Sequence, residues 1–107
     1  MLHLTLRQLE IFTAVAHSGS TVAAAPVVAL SQSATSAALQ QLESGLGTPL
    51  FERAGRGLVL NAAGRALLPQ ALALLEQARA IEQAFGAQGA GLPVRLRVAA
   101  STTIGSY

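Results

Sequence analysis

The sequence predicts a mainly α fold: three short helices, a small β-hairpin, then one long helix. Three observations carry that expectation. Ala and Leu, strong helix formers that pack closely, dominate a chain that is 51% hydrophobic and only 4% aromatic. Apolar residues recur at helical spacing in several segments. Short apolar runs flank one glycine-rich turn, RAGRG. A length of 107 residues allows one ordinary domain, or a small domain with an appendage.

The first helix is expected from about Leu6 to His17. Leu6, Leu9, Phe12 and Ala16 fall on one face, with Thr13 beside them and Ala14 and Val15 outside it. Thr5 is its N-cap candidate and Ser18-Gly19 its stop. Ser20 can cap a second helix, Thr21 to about Ala29, nearly all apolar and therefore covered by its neighbours. Pro26 removes a backbone donor there, so this helix is either kinked or ends early. Ser31 is a natural N-cap for a third helix, Gln32 to about Gly45. Thr35, Leu39, Leu42 and Leu46 recur at four-three-four spacing as its buried face. Ser33, Ser36, Ala37 and Gln40 lie on the opposite side. Three helices, the second and third joined by a tight turn, fit a helix-turn-helix arrangement.

Gly45, Gly47 and Pro49 then break the helical pattern. Leu50-Phe51-Glu52 and Leu58-Val59-Leu60, around RAGRG, predict the hairpin. Asn61 can cap a fourth helix running from Ala62 to about Phe85. Along it Leu67, Ala71, Leu74, Ala78, Ile81 and Phe85 form a seam suited to pairing with another helix, widened by Leu68, Leu72 and Leu75. Pro69 should bend this helix near its start. The Leu67-to-Phe85 seam is either intramolecular core or an interface; a helix of some two dozen residues is about 36 Å long and overhangs a small three-helix domain, so its far half needs another partner. GAQGAGLP reads as a flexible linker. Val94 to Val98 alternates as a strand does, which predicts the opening of a further, truncated domain. The expected organisation is a helix-turn-helix and hairpin domain over 1–61, the long helix over 62–85, a linker over 86–93 and that opening over 94–107.

Several function classes are disfavoured. A chain with no Cys has no disulfide framework, no thiolate chemistry and none of the usual zinc sites. His3 and His17 are isolated, so neither a metal nor another cofactor is expected. The five Glu are scattered, no serine sits in a nucleophile elbow, and the glycines form neither a phosphate loop nor a dinucleotide fingerprint. An enzyme is not expected. The start lacks a signal-peptide pattern, and no apolar run reaches the ~18 residues of a membrane span, which makes a cytoplasmic setting the default.

The net charge is only +2, and its location tells more than its sum. Arg53, Arg56 and Arg65 fall close together, beside Glu52. Arg53 and Arg56 flank a glycine turn, where long cationic side chains on a short backbone suit phosphate or minor-groove contact. The plainer reading is a solvated turn with Arg53 paired to Glu52. Arg65 and Arg7 fit structural ion pairs equally well, Arg7 with Glu10 or another carboxylate. The third helix carries Gln32, Ser33, Ser36 and Gln40, which form either a solvated face or a hydrogen-bonding one; Gln32 also sits where it can help cap the helix.

The order of these elements, with LRQLEIFTAVAHSGS, Ala24-Ala25, SQSATSAALQQLE, LGTPLFER and LNAAGRALLPQA, resembles the N-terminal part of a LysR-type transcriptional regulator. LGTPLFER followed by LNAAG makes the match specific, and RLRVAASTTIG is similar to the first strand and loop of the family's effector-binding domain. The resemblance implies a winged helix-turn-helix that binds double-stranded DNA in a bacterial regulator. Its third helix, about 32–45, would lie in the major groove, and its wing, 50–60, on the backbone and minor groove. Gln32, Ser33, Ser36, Ala37, Gln40, Arg53 and Arg56 become the DNA-contacting candidates. The seam from Leu67 to Phe85 would hold a homodimer or homotetramer. Ser101, Thr102 and Thr103 would form part of a site for a small anionic metabolite, where N-capping is their plainer role. The chain departs from the family pattern at Pro26, usually a polar helix former, and at Ala37-Ala38, where Arg and Gln are common. Alanine offers a base no hydrogen bond and can only touch a thymine methyl. A helical dimerisation module with weak or non-specific DNA binding is the alternative these departures support.

Overall fold

The computed structural model of the chain describes residues 2–91. The expected strand over Val94 to Val98, and Ser101, Thr102 and Thr103, lie outside the described residues. The elements are α1 (Leu6–Ser18), α2 (Thr21–Val27), α3 (Gln32–Leu46), β1 (Phe51–Ala54), β2 (Gly57–Leu60) and α4 (Ala62–Gly91). Residues up to Leu75 make one unit, and α4 from Glu76 onward belongs to a second.

All four helix starts are capped where the sequence placed the caps. Thr5 and Gln8 form a reciprocal capping box, each side chain accepting the other's backbone N–H at 3.0 Å. Ser20 and Ser31 accept from Ala23 and Ala34, and Asn61 Oδ1 accepts from Gly64 N–H at 2.8 Å. Each such bond satisfies a donor that the helix itself leaves orphaned, worth about 1 kcal/mol.

The first unit's core is built around α1, which packs against α2, α3 and β2. Its buried face is Leu9, Ile11, Phe12 and Val15, whereas Leu6 is exposed and Ala16 half-buried. The expected face is therefore rotated: neighbours on several sides bury the arc through Ile11 and Val15, and Leu6 sits in the first turn, beyond the core's edge. On α3, Thr35, Leu39 and Leu42 are buried as the spacing predicts. Thr35 Oγ1 satisfies itself by donating to Ser31 C=O at 2.8 Å. Leu46 ends the helix exposed, because Gly47 turns left-handed directly after it, at φ 78°.

The turn between α2 and α3 sets the angle at which α3 is presented. α2 ends early, at Val27, soon after Pro26. Ala29 follows in the left-handed region at φ 58°. Its N–H bonds Pro26 C=O at 3.2 Å and Leu30 N–H bonds Ala25 C=O at 3.0 Å, the paired closure of a Schellman motif. A left-handed alanine costs about 1–2 kcal/mol. Two backbone bonds at about 0.5–1.5 kcal/mol each offset that cost. Arg7 adds a third tie by donating to Val28 C=O. The outcome is a bend of 102° between α2 and α3, within the range usual for two helices joined in a helix-turn-helix.

Two corrections concern the second half. The strands are paired antiparallel from Phe51↔Leu60 to Ala54↔Gly57, so the hairpin is longer and its turn tighter than RAGRG suggested. Gly55 takes the left-handed turn position at φ 62°, which primed two-residue turns require; Leu50 lies just before the strand. α4 is helical through Gly91, so the linker expected over 86–93 does not begin at residue 86. The glycines there cost helix about 1 kcal/mol each relative to Ala, but Ala and Gln between them propagate it. In the first unit, Ala71 and Leu75 of α4 are buried in the core, with Leu67 and Leu68 half-buried against it.

Ala29→Gly should raise stability by about 0.5–1 kcal/mol, the left-handed strain relieved less the added entropy of a glycine in the unfolded chain. A urea or thermal melt followed by circular dichroism reads this directly.

Candidate nucleic-acid interface

A groove of about 410 Å³ opens between the start of α2, one flank of α3 and the hairpin. Gln32, Ser36 and Gln40 enter it from α3, and Arg53 and Arg56 from the hairpin. These five candidates, drawn from separate stretches of sequence, are thus brought to one place. Ser33 and Ala37 are exposed on the outward side of α3, away from the groove lining. The groove also takes Ser20, Thr21, Val22 and Glu43, which sequence reasoning did not single out as site residues. Thr21 and Val22 carry no signal beyond standing at a helix start.

Backbone contacts hold the hairpin in place beside α3. Leu58 N–H donates to Gly19 C=O at 2.7 Å, joining β2 to the turn between α1 and α2. Phe51 packs its ring against Phe12 with centroids 5.6 Å apart and planes tilted by 57°. At the base, Leu50 N–H donates to Glu43 Oε2 at 2.8 Å and Leu50 C=O accepts Asn61 N–H at 3.0 Å. Asn61 Nδ2 reaches Pro49 C=O at 2.9 Å. The acid of α3 is therefore turned inward onto the hairpin's base. No periodicity links residues 43 and 50, so this bond was not legible beforehand.

The arginines divide into two kinds. Arg7 pairs with Glu10 at 3.2 Å, as its structural reading proposed. Arg65 Nη1 donates to Leu60 C=O at 2.9 Å and tethers α4 to β2. Arg53 and Arg56 are exposed and, among the described residues, have no ion pair. Glu52 does not neutralise Arg53, because successive strand residues point to opposite faces. The groove thus has amide and hydroxyl groups on one wall and two free guanidinium groups on the other. Such a wall suits a polyanion whose interior offers donors and acceptors to be matched. Among the described residues no group of three His, Cys, Asp or Glu could hold a metal ion, and no single helix is long and apolar enough to cross a membrane.

The seam on α4 is divided as well. Leu67 and Ala71 serve the first unit's own core, while Leu74 in that unit is exposed. In the second unit Ala78 is half-buried, and Ile81 and Phe85 are exposed.

Three helices, a sharp bend between the second and third, and a hairpin tied to the third define a winged helix-turn-helix domain. Residues 6–65, more than half of the chain, match the model of the family described as bacterial regulatory helix-turn-helix protein, lysR family, and the chain belongs to that family. It is 55% identical over 106 residues to the uncharacterized HTH-type transcriptional regulator YeiE of Escherichia coli (strain K12), covering 99% of this chain and 35% of that protein. Among solved structures, it is similar to that of the CbnR_DBD–DNA complex, with a TM-score of 0.71 and 38% identity over 83% of this chain and all of that one. The oxidized form of Corynebacterium glutamicum OxyR gives a TM-score of 0.76 at 37% identity, over 84% of this chain and 27% of that one. The chain spans about a third of the length of the curated relatives it matches.

Gly57 lies so close to Gly19 that a Cβ would stand 2.7 Å from its carbonyl oxygen. Gly57→Ala should therefore push the hairpin from the α1–α2 turn and cost about 1–3 kcal/mol, as overpacking does. Faster hydrogen exchange at the Leu58 amide, with the α3 amides still protected, is the expected signature.

Proposed function

We propose that this chain is the DNA-binding end of a sequence-specific transcriptional regulator, with α3 in the major groove and the β1–β2 wing on the backbone and minor groove. The observation that carries the reading is the groove joining neutral hydrogen-bonding groups of α3 to the free Arg53 and Arg56 of the wing. The CbnR_DBD–DNA complex, similar over its whole length, supports it. Gln32 and Gln40 can each pair with an adenine through two bonds, and Ser33 and Ser36 can reach phosphates or base edges. Ala37 offers a methyl contact to thymine. Arg53 and Arg56 supply the salt-dependent attraction. No step in this reading makes or breaks a covalent bond, and it places the protein with the chromosome, in the bacterial cytoplasm.

For the whole protein we infer a homodimer or homotetramer. The exposed apolar residues of α4, Leu74, Ile81 and Phe85, support it, since large exposed side chains at helical spacing suit a second helix. A C-terminal domain taking a small anionic metabolite is inferred from the family resemblance, with Ser101, Thr102 and Thr103 as candidate contacts.

Anisotropy titrations at two salt concentrations, with the DNA upstream of the chain's own gene and with random duplex, test the reading. Operator preference is expected; salt-sensitive binding with no preference would favour a non-specific interaction module instead. Arg56→Ala should weaken binding similarly on every sequence and reduce the salt slope by about 1. Gln40→Ala should act unevenly, costing about 1–3 kcal/mol at one contacted base pair and little elsewhere; equal losses on operator and random DNA would sink its readout role.

A further inference from the structure

Glu43 is the one charged residue on α3. It lines the groove with Gln40, Arg53 and Arg56, where a carboxylate facing phosphates would repel them. Its Oε2 instead accepts Leu50 N–H at 2.8 Å, across seven residues of chain. Leu50 is buried in the core and its carbonyl accepts from Asn61 N–H at 3.0 Å, where the chain leaves the hairpin. One peptide segment therefore links α3 to both strands of the wing. Among the described residues no other hydrogen bond joins α3 directly to the hairpin's base, since the Leu58–Gly19 and Phe51–Phe12 contacts tie the wing to α1 and its following turn.

We propose that Glu43 is a positioning residue for DNA binding: its carboxylate sets the spacing between recognition helix and wing, so that Gln40 and the two arginines meet the duplex in one register. This rests on the DNA-binding reading above. It also makes a prediction opposite in sign to simple electrostatics. Removing a negative charge beside DNA should by itself strengthen binding and leave the cation contacts in place. If the carboxylate positions the wing, removing it weakens binding, because Arg53 and Arg56 lose their phosphates.

The test compares Glu43→Ala, Glu43→Gln and the Arg53→Ala/Arg56→Ala double variant of the full chain, by titrating upstream duplex at several salt concentrations. Glu43→Ala should bind more weakly, with a salt slope shallower by about 1–2, near that of the double variant. Glu43→Gln keeps an acceptor oxygen for Leu50 N–H and should retain the wild-type slope. Mere loss of folded protein, followed by circular dichroism, lowers affinity at every salt concentration and leaves the slope unchanged. A wild-type or steeper slope in Glu43→Ala overturns the proposal. Absence of salt-dependent binding by the wild-type chain would instead overturn the DNA-binding reading. The tie itself is then read from hydrogen exchange at the Leu50 amide, where unchanged protection in Glu43→Ala would refute it.

Discussion

The arrangement of this domain depends on the peptide environment of Leu50. Its side chain is buried, its N–H is held by the Glu43 carboxylate, and its carbonyl is held by Asn61 N–H. Gly64 lies against that same carbonyl so closely that no Cβ fits. Three elements are thereby located from one residue: the end of α3, the base of the hairpin and the first turn of α4. The two hydrogen bonds satisfy the N–H and C=O of a buried residue, each of which would cost about 1–3 kcal/mol if left without a partner. The arrangement is strongly specified because its loss leaves both groups unsatisfied together.

Charge is distributed across this frame by task. The outward face of α3 is neutral, its single acid is engaged internally, and Arg7 and Arg65 are occupied with backbone carbonyls. Only in the hairpin are cationic side chains left free, among the described arginines of the first unit. A weakly charged chain can therefore still present a concentrated cationic site. The net charge of +2 says little about that, because it averages committed and uncommitted groups.

Local features were legible in the sequence, and features that needed a third dimension were not. Thr5, Ser20, Ser31 and Asn61 cap helices because capping is a property of neighbouring residues. Thr35, Leu39 and Leu42 were found by spacing alone, and five of the residues that line the groove, Gln32, Ser36, Gln40, Arg53 and Arg56, were among the candidates, whereas Ser20, Thr21, Val22 and Glu43 were not. The face of α1 was misplaced because periodicity gives an apolar stripe without saying how many elements cover it; Ile11 and Val15 are buried by partners distant in sequence. The end of α4 was misjudged because glycine weakens a helix without forbidding it. Ala71 looked like part of an intersubunit seam, yet it is enclosed by its own domain. A heptad pattern does not say whose surface it meets.

Glycine in the left-handed position of Ala29 would make the turn a pivot, whereas alanine, bonded on both sides of it, makes a stiff corner. α2 and α3 are therefore delivered as one preformed body, and little torsional freedom remains to be surrendered when the body docks. Preorganisation of this kind raises affinity without any added contact. On the outward side of α3, where Ala37 presents only a methyl group, the stiffness of this corner is part of what the fold supplies.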